Sequence, residues 1–156
     1  MRTRGLAPLP GLRYRDRPGV YAIILHDASM LVVEQYGEVM LPGGGLEEGE
    51  RPLAALHREV WEETGWHVAP LRGLGTFQRY VWLEPYGYWC RKVEHLWLCR
   101  AVRQVGAPVE RDHTPVLVPP SLALSLLAAK GERDAVARLM VAGAFRNPAA
   151  RGAFRR

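Results

Sequence analysis

The chain has 156 residues, 48% of them hydrophobic and 24% charged, with a formal net charge of +5. That length suits one domain of the common size, about 100–150 residues, and the apolar share excludes a chain disordered throughout. No apolar stretch approaches the ~20 residues of a membrane-spanning helix, and no apolar run follows the basic start, so neither a membrane span nor a secretory leader is expected. Cys90 and Cys99 are the only cysteines, too few for a disulfide scaffold and without metal-ligand spacing. The expectation is a cytoplasmic, single-domain protein.

The positive charge is concentrated at the ends. Residues 1–19 carry +4 and residues 143–156 another +4, which leaves the remainder at −3. These segments are read as solvating charge in preference to a nucleic-acid patch. The division expected is an irregular basic lead-in over 1–17, a folded domain over 18–142 and a flexible basic tail over 143–156.

In chain order, Val20–His26 and Met30–Gln35 are apolar, β-branched runs joined by Asp27-Ala28-Ser29, as in a hairpin. Val39–Leu41 extends the sheet until Pro42, and Gly43-Gly44-Gly45 follows as a loop. Pro52 to Thr64 is the first helix, with proline in its first turn and Gly65 at its end. Its stripe of Leu53, Leu56, Val60 and Thr64 is expected to be buried. Strands over Leu71–Leu83 and Tyr88–Val102 flank the turn Glu84-Pro85-Tyr86-Gly87, and Val116–Val118 is a short strand before Pro119-Pro120. Helices are predicted over Leu122–Lys130, capped by Ser121 and ended by Gly131, and over Glu132–Ala142. The pattern indicates an α+β, mixed-sheet sandwich.

The segment Gly44-Gly45-Leu46-Glu47-Glu48-Gly49-Glu50, seven residues, then Arg58-Glu59-Val60-Trp61-Glu62-Glu63-Thr64-Gly65-Trp66 stands apart. At ~100° per residue, Glu59, Glu62 and Glu63 fall within about a third of the helix circumference, and the Leu56–Val60 stripe lies about 115° from their centre. Like charges so spaced destabilise a helix, whereas a hard divalent cation gives them a purpose. Gly44 and Gly45 let a polyanion approach without side-chain clash.

This spacing resembles the signature of the Nudix (MutT-like) hydrolases. Gly44, Glu50, Arg58, Glu59, Val60, Glu62, Glu63 and Gly65 fill its positions, and Trp66 stands where an aliphatic residue is usual. The resemblance implies an α/β/α sandwich with a mixed sheet between helices. It implies hydrolysis of a nucleoside diphosphate-linked substrate (a nucleoside triphosphate, nucleotide sugar or dinucleotide), with Mg²⁺ or Mn²⁺ required. Glu59, Glu62, Glu63 and the Gly43 carbonyl would hold metal, and Glu50 and Arg58 would orient them. Water attack on phosphorus follows, with Glu62 or Glu63 as base, or Glu94, Glu110 or Asp112 from outside the motif. Proline and tyrosine markers of two substrate subclasses are absent from Val81-Trp82-Leu83-Glu84.

Other signals are weaker. Most of the aromatics among Phe77, Tyr80, Trp82, Tyr86, Tyr88, Trp89 and Trp97 are read as core, with Tyr86 and Trp89 the ligand candidates. Arg79, Arg91 and Lys92 are read as outward-facing charges in preference to phosphate ligands, Arg79 being kept as a substrate-binding candidate. His113 is read as a surface-loop histidine in preference to a base or orienting group. The alternatives to a small-nucleotide hydrolase are a non-catalytic nucleotide-sensing module and an RNA 5′-end pyrophosphohydrolase whose tails grip RNA. Oligomeric state is open, a homodimer included.

Overall fold

The computed structural model describes residues 2–3 and 7–146. Among these, strand β1 spans Arg2–Thr3, β2 Arg15–His26, β3 Ser29–Gln35, β4 Glu38–Met40 and β5 Gly43–Gly45. Helix α1 covers Pro52–Thr64, and the long strands β6 (Trp66–Leu83) and β7 (Tyr88–Gln104) are joined by a 3-10 turn at Glu84–Tyr86. Strand β8 (Thr114–Val118) and helices α2 (Pro120–Leu126) and α3 (Lys130–Val141) complete the order. No described helix is long and apolar enough to cross a membrane.

The strands form one mixed sheet in the order β1-β6-β7-β2-β3-β4, with β5 paired to β2 and β8 paired to β3. Strand β2 explains the continuous apolar run read from the sequence. Its Val20, Ala22 and Ile24 pack with Ala55, Leu56 and Val60 of α1, while Ile23 packs on the other face with Leu127, Val136 and Leu139. Successive side chains of a strand point to opposite faces, so a strand covered on both sides carries no polar alternation. The result is an α+β sandwich with the sheet between α1 and the α2–α3 pair. Each fully buried Leu or Val on these faces contributes about 1.5–3 kcal/mol.

Several expectations are corrected. Arg15–Arg17 already pair with Cys90–Lys92 of β7, so the irregular lead-in is shorter than 1–17. The triple glycine is a strand rather than a loop, antiparallel to Gly19–Tyr21. Leu53 is 40% exposed, because the apolar cluster under α1 is built from Ala55, Leu56 and Val60 and not from the first turn. The second helix ends at Leu126, and Gly131 lies inside α3, where its missing side chain leaves room for the Phe77 ring, 2.6 Å from where a Cβ would stand. In the expected tail, Ala144 and Phe145 pack against the α3 core; residues 147–156 lie outside the described residues.

Gly65 closes α1 in the left-handed region, φ 73°, and its N–H donates to the Trp61 carbonyl. Its own carbonyl accepts from Val105 N–H at 2.8 Å, and the Glu62 carbonyl accepts from Val109 and Glu110 N–H at 2.8 and 3.0 Å. The end of the helix thereby ties down the segment that leads to β8. A Cβ on Gly65 would stand 2.1 Å from the Gly106 carbonyl oxygen. Gly65→Ala is therefore expected to cost about 2 kcal/mol or more, combining left-handed strain with a backbone clash; the midpoint of urea unfolding measures it.

Candidate active site

The carboxylates of α1 are organised around one guanidinium. Arg58 donates from Nε and one terminal nitrogen to both oxygens of Glu50, at 2.9 and 2.8 Å, and from the other to Glu59 at 2.8 Å and Glu62 at 3.2 Å. It also donates to the Gly45 carbonyl at 3.2 Å. Glu50 further accepts from the Glu47 N–H, and the Arg58 bonds followed by that backbone bond hold its carboxyl down at about 2. Glu50, and after it Glu59, raise Arg58 in turn. A paired fork of this kind needs a planar guanidinium.

Glu63, on the adjoining side of the helix, is buried and accepts from the Gly43 N–H at 2.9 Å. Burial raises its carboxyl to about 8, the Gly43 bond opposing and the Glu59, Glu110 and Glu62 charges adding. Burial likewise raises Glu59. Strand β5 lies directly against this cluster. A Cβ on Gly44 would stand 2.5 Å from the Glu59 carboxylate, so any side chain there would push that carboxylate from its place.

His113 is not a surface-loop residue. The docking of residues 105–110 on the end of α1 buries it, with Nε2 3.3 Å from Glu63 Oε1 and Nδ1 3.0 Å from both Glu110 Oε2 and Asp112 Oδ1. Glu63, Glu110 and His113 place potential ligand atoms within 4.8 Å of one another. Sequence reading passed over His113 because its burial depends on a contact fifty residues away in the chain; the adjacent acid was the only local signal.

The outside-motif candidates are separated by this geometry. Glu110 reaches the cluster. Asp112 is exposed and held by Gln35 and the Tyr36 hydroxyl, at 2.8 and 3.0 Å, which lowers its carboxyl to about 2. Glu94 is buried and accepts from Arg79 Nε at 2.7 Å.

Beside Glu63 a cleft of about 260 Å³ opens between the sheet and α3, lined by Tyr21, Gly43, Glu63, Arg79, Lys92 and Glu132 among others. Arg79 and Lys92 therefore face this cleft, not outward. Arg91 alone of the three sits on the surface, forked onto Asp16. Tyr86 and Trp89 do not line the cleft. They belong to an aromatic cluster at the β6–β7 turn, with Trp82 on Trp89, Tyr86 near Tyr88 and the Arg17 guanidinium 4.9 Å from the Tyr86 ring. Phe77 is in the core, whereas Trp82 and Tyr86 are exposed. Both cysteines are free and buried.

The donor set fits a hard divalent cation. Among the described residues Arg58 is the one cation bonded to Glu50, Glu59 and Glu62, and Glu63 and Glu110 add further oxygens, so acidic oxygens stay in excess.

Glu132 on α3 is buried, and burial followed by the Glu94 charge raises its carboxyl from 4.5 to about 8. Its contribution to stability is then full below pH 4.5 and lost as pH climbs through 8. The unfolding free energy of Glu132→Gln, measured by urea titration, should gain on that of the natural chain between pH 5 and 9, by on the order of 1–3 kcal/mol; a gap that stays flat across the range would contradict this.

Comparison with known proteins adds the following. A family model described as NUDIX domain matches residues 15–139. An RNA pyrophosphohydrolase of Helicobacter pylori (strain G27) is 40% identical over 62 residues, 35% of this chain and 40% of that protein. A putative 8-oxo-dGTP diphosphatase of Bacillus subtilis (strain 168) is 33% identical over 64 residues, 39% of this chain and 43% of that protein. The chain thus covers under half the length of these curated relatives. A NUDIX hydrolase from Nitrosomonas europaea superposes with a TM-score of 0.66 at 18% identity, covering 87% of this chain and 95% of that one. A MutT protein from Methanosarcina mazei Go1 gives 0.65 at 22% identity, covering 85% and 99%. At these identities the likeness is one of fold.

Proposed function

Because the chain belongs to the Nudix family, with the family's domain matched over residues 15–139, we propose that it hydrolyses a pyrophosphate bond in a nucleotide derivative with the help of a divalent metal ion. The observation that carries this reading is the Glu59–Glu62–Glu63 face of α1, drawn against a side-chain-free glycine strand and joined by Glu110 and His113. Glu59, Glu62, Glu63 and Glu110 are the residues that would hold Mg²⁺ or Mn²⁺, with the Gly43 carbonyl as a further ligand. Bound there, such an ion supplies positive charge to phosphate oxygens and acidifies a water.

The chain's own residues do the rest. Arg58 and Glu50 fix the carboxylates in place, so that they need no rearrangement during reaction. Gly43, Gly44 and Gly45 admit the polyanion, and Arg79 at the cleft wall meets it. Glu110, 3.0 Å from His113 Nδ1, can accept a proton and pass it to the imidazole. Tyr86 and Trp89, at the turn, contact the outer end of a substrate only. The catalytic unit runs from Arg15, where β2 begins, through α3, between basic flanks, working on cytoplasmic nucleotides.

A second reading, hydrolysis at the 5′ end of RNA, takes its support from the name of the Helicobacter pylori relative. A purely sensing module is disfavoured because every carboxylate of the motif is present.

Turnover of a nucleotide panel with Mg²⁺ and with Mn²⁺ tests the proposal. The natural chain should be active and lose activity to a chelator, and Glu62→Gln should be slower by about a hundredfold or more. Equal rates for the two proteins would reject these assignments. Gly44→Ala, which pushes against Glu59, should weaken Mn²⁺ binding by about 10–100-fold in calorimetric titration while the unfolding temperature changes little.

A further inference from the structure

Three cations stand in one row across three neighbouring strands. Arg17 of β2 is the register partner of Lys92 of β7, and Lys92 is the partner of Arg79 of β6. Register partners project from the same face of a sheet, and like charges placed opposite one another destabilise it. The Cys90 thiol, two residues before Lys92 on that face, is acted on by the charges of all three.

Carboxylates do not balance the row. Arg79 is paired with Glu94. Arg17 lies over the Tyr86 ring at 4.9 Å, and the Lys92 ammonium is 5.9 Å from the Tyr21 ring centre. Among the described residues neither Arg17 nor Lys92 forms an ion pair with a carboxylate. Glu38, Glu63 and Glu132 also line the cleft, but none of them is in ion-pair contact with Arg17 or Lys92, and burial raises the Glu132 carboxyl to about 8. Of the three cations in the row, two are therefore without a carboxylate partner among the described residues.

Their position gives the surplus a use. Lys92 and Arg79 line the same cleft as Glu63 and Gly43. The Arg17 guanidinium reaches within 3.8 Å of where a Gly45 side chain would begin. The row therefore lies across the glycine strand from the α1 carboxylates. A diphosphate bridge held at those carboxylates by metal ions has its charge met there. Two further cations call for a further anionic group, and a neutral nucleobase would leave them unanswered.

We propose that Arg17, Lys92 and Arg79 form an anion subsite for the terminal phosphate of a 5′-triphosphate chain, so that the protein prefers triphosphates to substrates with only a diphosphate bridge. The inference rests on the hydrolase reading above and narrows its substrate class. A free nucleoside triphosphate and a 5′-triphosphorylated RNA end offer the same chemistry.

The experiment compares the full chain with Lys92→Met, Arg17→Met and Lys92→Arg on three substrates: a nucleoside triphosphate, a 5′-triphosphorylated oligoribonucleotide, and a nucleoside diphosphate sugar with the same base. For whichever triphosphate the natural chain turns over, kcat/KM should fall about 10–100-fold in each Met variant, chiefly through KM, with the diphosphate sugar within about twofold. Lys92→Arg should retain most of the preference. An equal fall on every substrate, or no fall on triphosphates, overturns the proposal. The ratio between the two triphosphates in the natural chain tells free nucleotide from RNA end.

A second measurement needs no turnover. Inorganic tripolyphosphate should raise the unfolding temperature of the natural chain more than inorganic pyrophosphate does, and Lys92→Met should remove the difference. Absence of that difference in the natural chain also overturns the subsite. If the chain stabilises with tripolyphosphate yet hydrolyses nothing, the hydrolase reading fails and the anion subsite stands.

Discussion

The Arg58 guanidinium is the joint on which the site depends. It binds Glu50 from the loop, Glu59 and Glu62 from its own helix, and the carbonyl of Gly45 on the sheet. Without a planar, permanently charged group at that point, four groups carrying negative or partial negative charge would have to approach each other unaided. Lysine offers one compact ammonium and no fork, so it cannot span the same set. The helix tolerates its acidic face because this one cation absorbs part of the repulsion, and burial of Glu63 against the Gly43 N–H fixes the remaining carboxylate on the sheet side.

Charge is divided across the sheet. The acids of α1 gather with those of the segment that docks on its end, while Arg79 and Lys92 stand in the cleft under α3 together with Glu132. Between them runs β5, three glycines with no side chain to block passage from one side to the other. A chain of phosphates is suited to lie across such a boundary if the acid cluster holds metal as proposed, since each negative group then meets either that metal or a fixed cation.

Much of this was legible in the chain itself. The motif spacing identified α1, its capping glycine and the carboxylate face, because helical periodicity depends only on local geometry. The mixed sheet between helices followed from the apolar runs. What was not legible depended on distant partners. His113 is buried only because the carbonyls of Glu62 and Gly65 capture the segment before it. Gly131 looked like a helix end, but the Phe77 ring, not chain direction, decides its role. Leu53 fits the helical stripe and is nonetheless exposed, since the apolar cluster begins deeper along the helix. Arg79 and Lys92 read as surface charges because nothing in the local pattern tells that the face they share is roofed by α3, from which Glu132 reaches the same cleft.

Strand β2 serves two helices, the glycine strand and β7 within twelve residues. Inserting or deleting a single amino acid near its middle would reverse the facing of everything beyond that point. Ile23 would turn toward α1 and Ala22 toward α3, and Tyr21 would leave the cleft, so core and cleft would fail together. Evolution of this strand is thereby confined to exchange of side chains, with its length held constant.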